Sequence, residues 1–546
     1  MAPVLNLRKG ELWKLLFGLF LVGFAYLWHV DTPMLWGDEA GTAVFSKNVI
    51  KEGIPLGFDG RNLSVFGNCA SVSHGLLSRK IPWVQYYIGS LSILLFGHST
   101  MGVRLLFVLI GVCSFFPLHS VLKKESNHAT LITTLVLLAP QVVLFQRNAR
   151  YYPIVILLFS LLLWTYSHEF YSQKVRLGLC CILSILFFHT HELAAFCVFA
   201  AYVIFGFIKD RGSLKIYLPA FLLGFGSWLI FYLSLKSVPG NGPEHIQLLM
   251  KFPAKWFLVF LAGIKASIVD LDYINALPLL AWGLLFIFVL LKKDRRGLLQ
   301  PLGSSIGLII LISIGIQIIL NSALVGFETA HQYSLLRYMP HLVATLSIPL
   351  FLVLERVVSY TWGKPKVKKC LIPVLLVTVV FSNVFTLSYW MPSLSKRSSE
   401  FSWWPPVYLE ILEPKPDPFR SLIETMAKGQ SETEQTVFVW PPYVNEILNF
   451  YVGDKYLIIP SVLEHSPCEK AIVQKIGSER YNRFKKQPKW IVLFLNPLKR
   501  KPAGYELNTI PFIRHAPDAT RPELTRHDFH SKEKGASGYI YVYERL

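Results

Sequence analysis

The chain has 546 residues, 53% of them hydrophobic and 14% aromatic, with only 16% charged and a formal net charge of +20. A soluble globular protein of this length carries more charge and shorter apolar runs, so composition excludes that class. Apolar stretches of about 20 residues recur instead, each long enough to cross a hydrocarbon core of roughly 30 Å.

In chain order, candidate spans fall at 12–30, 103–121, 129–147, 152–168, 177–193, 195–208, 216–235, 275–291, 303–323, 339–355 and 371–390. The expectation is a polytopic α-helical membrane protein with about eleven transmembrane helices. Arg8, Lys9 and Lys14 mark the start of the first run, which lacks a small-residue cleavage site and reads as an uncleaved span. Residues 31–100 then form the first outer loop. Within it, 38–52 pattern as a helix ending at Gly53, and 81–99 as an aromatic-rich helix lying in the outer interface. A second interfacial element is expected at 246–268.

The basic residues set the topology. Lys123-Lys124, Lys174 with Arg176, and the runs at 209–215, 292–296 and 364–369 make every second connection basic, as cytoplasmic loops are. The N-terminus is therefore expected in the cytoplasm and residues 391–546 outside. Residues 1–390 hold 32 Lys and Arg against 16 Asp and Glu, dispersed among short loops. The positive charge thus implies a bilayer as partner and no nucleic acid.

From 391 the composition turns polar and proline-rich. Strand-like runs at 436–440, 456–460, 490–495 and 538–544 alternate with helical patterns at 418–428, 443–451 and 469–486. This predicts a small soluble α/β domain over 391–546, behind a membrane domain over 1–390. No glycine-rich nucleotide-binding loop is present. Five of the seven cysteines fall in or beside spans, whereas Cys69 and Cys468 are both expected outside, and their pairing is left open.

Four polar clusters share the expected outer face. Asp38 and Glu39 follow the first span; as a pair they either cap the next helix or supply a general base. In "RNARYY" (147–152), a helix would put Arg147, Arg150 and Tyr151 on one face. Two guanidiniums and a phenol together suit a phosphate, the alternative being arginines that snorkel to lipid headgroups. Arg337 and Tyr338 in "LRYMP" carry the same two readings. In "HTHE", His189 and His191 point apart on a helix, whereas His189 and Glu192 share a face; these three are candidates to line a cavity. No spacing matches a zinc site. The rival class is a transporter or flippase of lipid-linked saccharides, for which internal repeats and midplane helix breaks are the marks.

Read in order, "WGDEAGTAVFSKNVIKEGIP", "IPWVQYYIGSLSILLFG", "VRLLFVLIG", "RNARYY", "HTHELAAF" and "RYMPHLVA" resemble the motif series of glycosyltransferase family 39 within the GT-C superfamily. That family includes protein O-mannosyltransferase-like and lipid A aminoarabinose transferase-like enzymes. The resemblance covers roughly residues 10–360. The chain departs from the pattern at Ile81-Pro82, where two prolines are common, and at His341 in a usually apolar run. The resemblance implies a GT-C fold and an inverting transferase that takes its sugar from a polyprenyl-phosphate donor on the outer side. It implies that Asp38 is the catalytic acidic residue, with Glu39 beside it in the catalytic pair, left to assist, to bind a divalent ion or to hold Asp38 in place. The phosphate would fall to Arg147, Arg150, Tyr151, Arg337 and Tyr338. Some relatives use a divalent metal, so a metal stays open here, as do the sugar and the acceptor (protein, lipid or glycan).

Overall fold

The computed structural model describes residues 9–235 apart from 65–71, 74, 80 and 169–171. It continues over 278–324 apart from 293–294, and over 340–385 apart from 362–364. In the C-terminal part it covers 417–428, 435–460 apart from 441, 488–494, 500–514, 529–531 and 538–545, with isolated residues elsewhere. Arg337, Tyr338, Cys69, Cys468, and most of 246–268 and 469–486 lie outside these residues.

The helices follow the apolar pattern. α1 is Lys9–Leu27, α2 Gly37–Glu52, α3 Val84–Phe96, α4 Thr100–Cys113 and α5 Phe115–Glu125. α6 (Ala129–Leu138), α7 (Pro140–Gln146), α8 (Tyr152–Ser167), α9 (Gln173–Phe188), α10 (Glu192–Ile208) and α11 (Arg211–Ser234) come next. After them lie α12 (Leu279–Leu290), α13 (Arg295–Gly303), α14 (Ser305–Leu324), α15 (Pro340–Thr345), α16 (Ser347–Thr361) and α17 (Pro365–Phe381). Among the described residues, four stretches are long and apolar enough to cross a bilayer: Gly10–Leu27, Thr100–Glu125, Arg211–Ser234 and Pro340–Thr361. The count rises to six if each of two bent pairs is one span. The helices α8, α10 and α12 are apolar but shorter. The protein is thus a polytopic membrane protein.

The span expected at 129–147 is broken. α6 and α7 meet at 69° where Pro140, with no N–H to give and a ring that clashes with the preceding turn, starts a new helix. All seven residues of α7 are buried. In the first outer loop, α2 runs as its pattern predicts and ends at Gly53, whose φ of 75° is one that a residue with a Cβ adopts only at a cost. α2 is short of exposed surface because α3 crosses it closely: a Cβ at Gly89 would collide with the Ser46 hydroxyl.

The C-terminal part adds α18 (Pro418–Lys428), α19 (Pro442–Val452) and a six-stranded mixed sheet ordered β2-β1-β3-β6-β4-β5. Its strands are β1 (Gln435–Trp440), β2 (Tyr456–Pro460), β3 (Trp490–Phe494), β4 (Tyr505–Arg514), β5 (Phe529–Ser531) and β6 (Gly538–Arg545). β1 pairs in parallel with β2 and β3, and the remaining pairs are antiparallel. β4 and β5 were not legible in the pattern. β2 shows why its run is apolar throughout: Tyr456 and Ile458 enter the core of the sheet, whereas Leu457 and Ile459 join the core of the helical body. α19 divides likewise, with Val444 and Leu448 toward the sheet and Ile447 and Phe450 toward the helices. The two parts are therefore cemented by a shared apolar interface.

Candidate active site

The site begins with the segment that links α1 to α2. Two buried arginines from other helices hold it. Arg147, at the end of α7, donates from Nη1 to the carbonyls of Ala25 (2.9 Å), Tyr26 (3.1 Å) and Trp28 (2.7 Å), and from Nη2 to His29 (2.8 Å). Ala25, Tyr26 and Trp28 offer carbonyls at the C-terminal end of α1, where a cation is favoured, and the His29 carbonyl also accepts from Thr32. Arg104 of α4 donates from Nη1 to Val30 (2.9 Å) and Pro33 (2.6 Å), and from Nη2 to Met34 (3.3 Å).

This geometry corrects the expectation for Arg147. Residues 147–151 are not helical, so Arg147, Arg150 and Tyr151 do not share a helix face. Arg147 points back to α1 and its donors serve carbonyls there. Arg150 goes the other way and forms an ion pair with Asp38.

The two acids of "DEA" separate equally sharply. Glu39 has no exposed surface; Arg104 binds its Oε1 from Nε at 3.0 Å and its Oε2 from Nη2 at 2.6 Å. Its Oε1 also accepts from the Ala149 amide at 2.8 Å. Glu39 therefore ties α2 to the turn that carries Arg150 and faces away from solvent, which corrects its expected catalytic role. Asp38, in the first turn of α2, keeps 28% of its side chain exposed.

Around the Asp38–Arg150 pair stand aromatic rings. The Arg150 guanidinium lies 5.9 Å from the ring centroid of Trp36, 5.2 Å from Tyr151 and 5.7 Å from Tyr152. Trp36 is fixed by its Nε1–H, which donates to Asn148 Oδ1 at 3.0 Å. Arg150 is buried, and its Nε makes no hydrogen bond among the described residues. A guanidinium desolvated over π faces with a donor to spare suits an oxyanion.

The "HTHE" residues also part. α9 ends at Phe188 and α10 starts at Glu192, so no helix runs through 189–192 and His189 and Glu192 share no helix face. His189 is near Ser227 (Nε2 to Oγ 3.3 Å) and the ring of Phe231. His191 caps α10, its Nδ1 accepting from the Ala194 amide at 3.1 Å, and its ring lies 4.4 Å from that of Tyr151. Sequence reading named neither Arg104 nor Asn148, although both lie inside motifs that it singled out, "VRLLFVLIG" and "RNARYY". Among the described residues no group of three or more His, Cys, Asp or Glu side chains converges to hold a metal. Asp38 faces a cation, the Arg150 guanidinium.

No protein-family model matches the chain. No curated protein matches it in sequence. Solved structures do match in shape. ArnT from Cupriavidus metallidurans bound to undecaprenyl phosphate superposes at a TM-score of 0.51 with 12% identity, over 98% of both chains. The same enzyme in the apo state gives 0.48 at 12% identity, again over 98% of both chains. The oligosaccharyltransferase AglB from Archaeoglobus fulgidus gives 0.42 at 13% identity, over 89% of this chain and 69% of that one. Near-complete mutual coverage at so low an identity is a likeness of fold: the chain is folded like ArnT.

Proposed function

We propose that the protein is a membrane glycosyltransferase that moves a sugar from a polyprenyl-phosphate donor to an acceptor hydroxyl on the extracytoplasmic side. The observation that carries this reading is the pairing of a partly exposed Asp38 with the buried, aromatic-ringed Arg150. The shared fold supports it, since ArnT was crystallised with undecaprenyl phosphate.

The chemistry follows from the two charges. Asp38, paired with Arg150, takes the proton of the acceptor hydroxyl as that oxygen attacks the anomeric carbon. The bond from the anomeric carbon to the phosphate oxygen breaks, and its electron pair leaves on the polyprenyl phosphate. Arg150 meets the growing negative charge, with Tyr151 beside it and Arg337 and Tyr338 as further donors. Direct displacement inverts the anomeric centre. With the N-terminus in the cytoplasm and 391–546 outside, as the basic connections suggest, Asp38 lies on the face where the donor sugar is presented.

The break between α6 and α7 is the kind of feature transporters use. Here it feeds the turn that carries Arg150, and so serves the site. The deciding experiment is Asp38→Asn. Product, read by mass spectrometry of glycans and glycolipids against cells lacking the protein, should fall by about 10²–10⁴-fold with folding intact. Wild-type product from this variant would refute the base assignment.

A further inference from the structure

Residues 32–36 run into α2 without helix or strand, yet Met34 and Leu35 are buried. Buried amides need partners. Theirs come from the far end of the chain. The Met34 N–H donates to Asp417 Oδ2 at 2.7 Å, and the Leu35 N–H to the Tyr451 hydroxyl at 3.1 Å. Asp417 is itself held, its Oδ1 accepting from the Phe419 amide at 2.8 Å at the start of α18. The Tyr451 hydroxyl lies 2.6 Å from Thr100 Oγ1. Burial pushes that phenol up to about 12, so it stays protonated and serves both neighbours at once.

We propose that Asp417 and Tyr451 are positioning residues for Asp38, anchoring the amides of Met34 and Leu35 so that the first turn of α2 meets Arg150 in register. The proposal rests on Asp38 being the base. The same stretch is gripped from two sides: Arg104 takes the carbonyls of Pro33 and Met34, and the C-terminal part takes the amides of Met34 and Leu35. Trp36 follows directly; its indole is bound to Asn148 and lies near Arg150, and its carbonyl accepts the Ala40 amide at 2.8 Å to start the helix. A shift at Leu35 is therefore passed to Asp38 three residues on.

Other contacts hold the C-terminal part in place independently. Lys47 pairs with Asp454 at 2.7 Å. Asn62 satisfies the open edge of β2, donating to the carbonyls of Gly453 (2.7 Å) and Tyr456 (3.2 Å) and accepting from the Ile458 amide (2.7 Å). Asn449 donates to Ser64 Oγ at 2.8 Å. Removing one hydroxyl at Tyr451 leaves all of these intact, so the anchor can be tested apart from the docking.

The test uses the full-length protein carrying Tyr451→Phe, with Thr100→Val and Asp38→Asn alongside. Amide hydrogen exchange over 28–37 and 442–460, thermal midpoint and binding of undecaprenyl phosphate are read on purified protein. Product is read in cells lacking the wild-type chain. A misplacement near 1 Å costs on the order of 10²-fold in rate, so product from Tyr451→Phe should fall by about tenfold to a hundredfold. Exchange at Leu35 should rise, while 442–460, the midpoint and undecaprenyl phosphate binding stay at wild-type values. Thr100→Val, which keeps the Leu35 bond, should match wild type. Wild-type product from Tyr451→Phe beside an inactive Asp38→Asn overturns the positioning role and leaves the base assignment standing. Wild-type product from Asp38→Asn removes the base assignment and the proposal with it. A loss of midpoint, binding and product together would mark a merely structural residue and would also overturn the proposal.

Discussion

Arg104 grips both oxygens of Glu39 in a two-pronged ion pair with neither side chain exposed, and the same guanidinium reaches the carbonyls of the segment that leads to Asp38. Such a pair gains from fixed geometry and from having every donor used. Breaking it from one side leaves a charge buried without its partner. Glu39→Ala should therefore destabilise the protein by about 3–5 kcal/mol, read as a lower thermal midpoint in detergent. Glu39→Gln keeps an acceptor and should lose less. A Glu39→Ala protein with an unchanged midpoint would contradict the structural role.

Arg147 and Arg150 stand three residues apart and should behave differently. Arg147→Ala strips donors from the carbonyls of Ala25, Tyr26 and Trp28, each costing about 1–3 kcal/mol if left unpaired, and should lower the midpoint while the folded fraction still binds undecaprenyl phosphate. Arg150→Ala should fold and lose about 2.7–4 kcal/mol of transition-state stabilisation, or about 10²–10³ in rate. Equal effects from the two on product and midpoint would dissolve the distinction.

Reporter fusions test the sidedness on which the proposed function depends. Fusions after residues 125 and 300 should report cytoplasm, and after 400 the outer side, as the basic connections require. A reversed signal at either end would place Asp38 on the wrong face for a donor presented outside.

Much of the architecture was legible because it follows from periodicity and solvent. α2 and its Gly53 stop, the bounds of α18, and the strands β1, β2, β3 and β6 all sit where apolar patterning and turn residues put them. The break at Pro140 was missed even though the proline is visible, because the apolar run continues across it and hydropathy does not register a change of direction. β4 was missed because its sequence, YELNTIPFIR, carries a proline and mixed polarity that read as loop.

The site divides in the same way. The residue types were legible: a carboxylate pair after the first span, and arginines, tyrosines and histidines near span ends. Their pairing was not. Asp38 and Glu39 are adjacent in sequence, yet helical rotation sends one to Arg150 and a half-open surface and the other to Arg104 in the interior. Arg147 and Arg150 separate because the chain between them leaves the helix. Composition and periodicity by themselves determined that this chain enters a membrane; that its acids and arginines share the outer face was their expectation. Only the tertiary structure decided which acid stays accessible, and that the last third of the chain grips the segment behind it. The reason is that buried polar groups take whichever partner the packing brings within reach, and those partners lie hundreds of residues away.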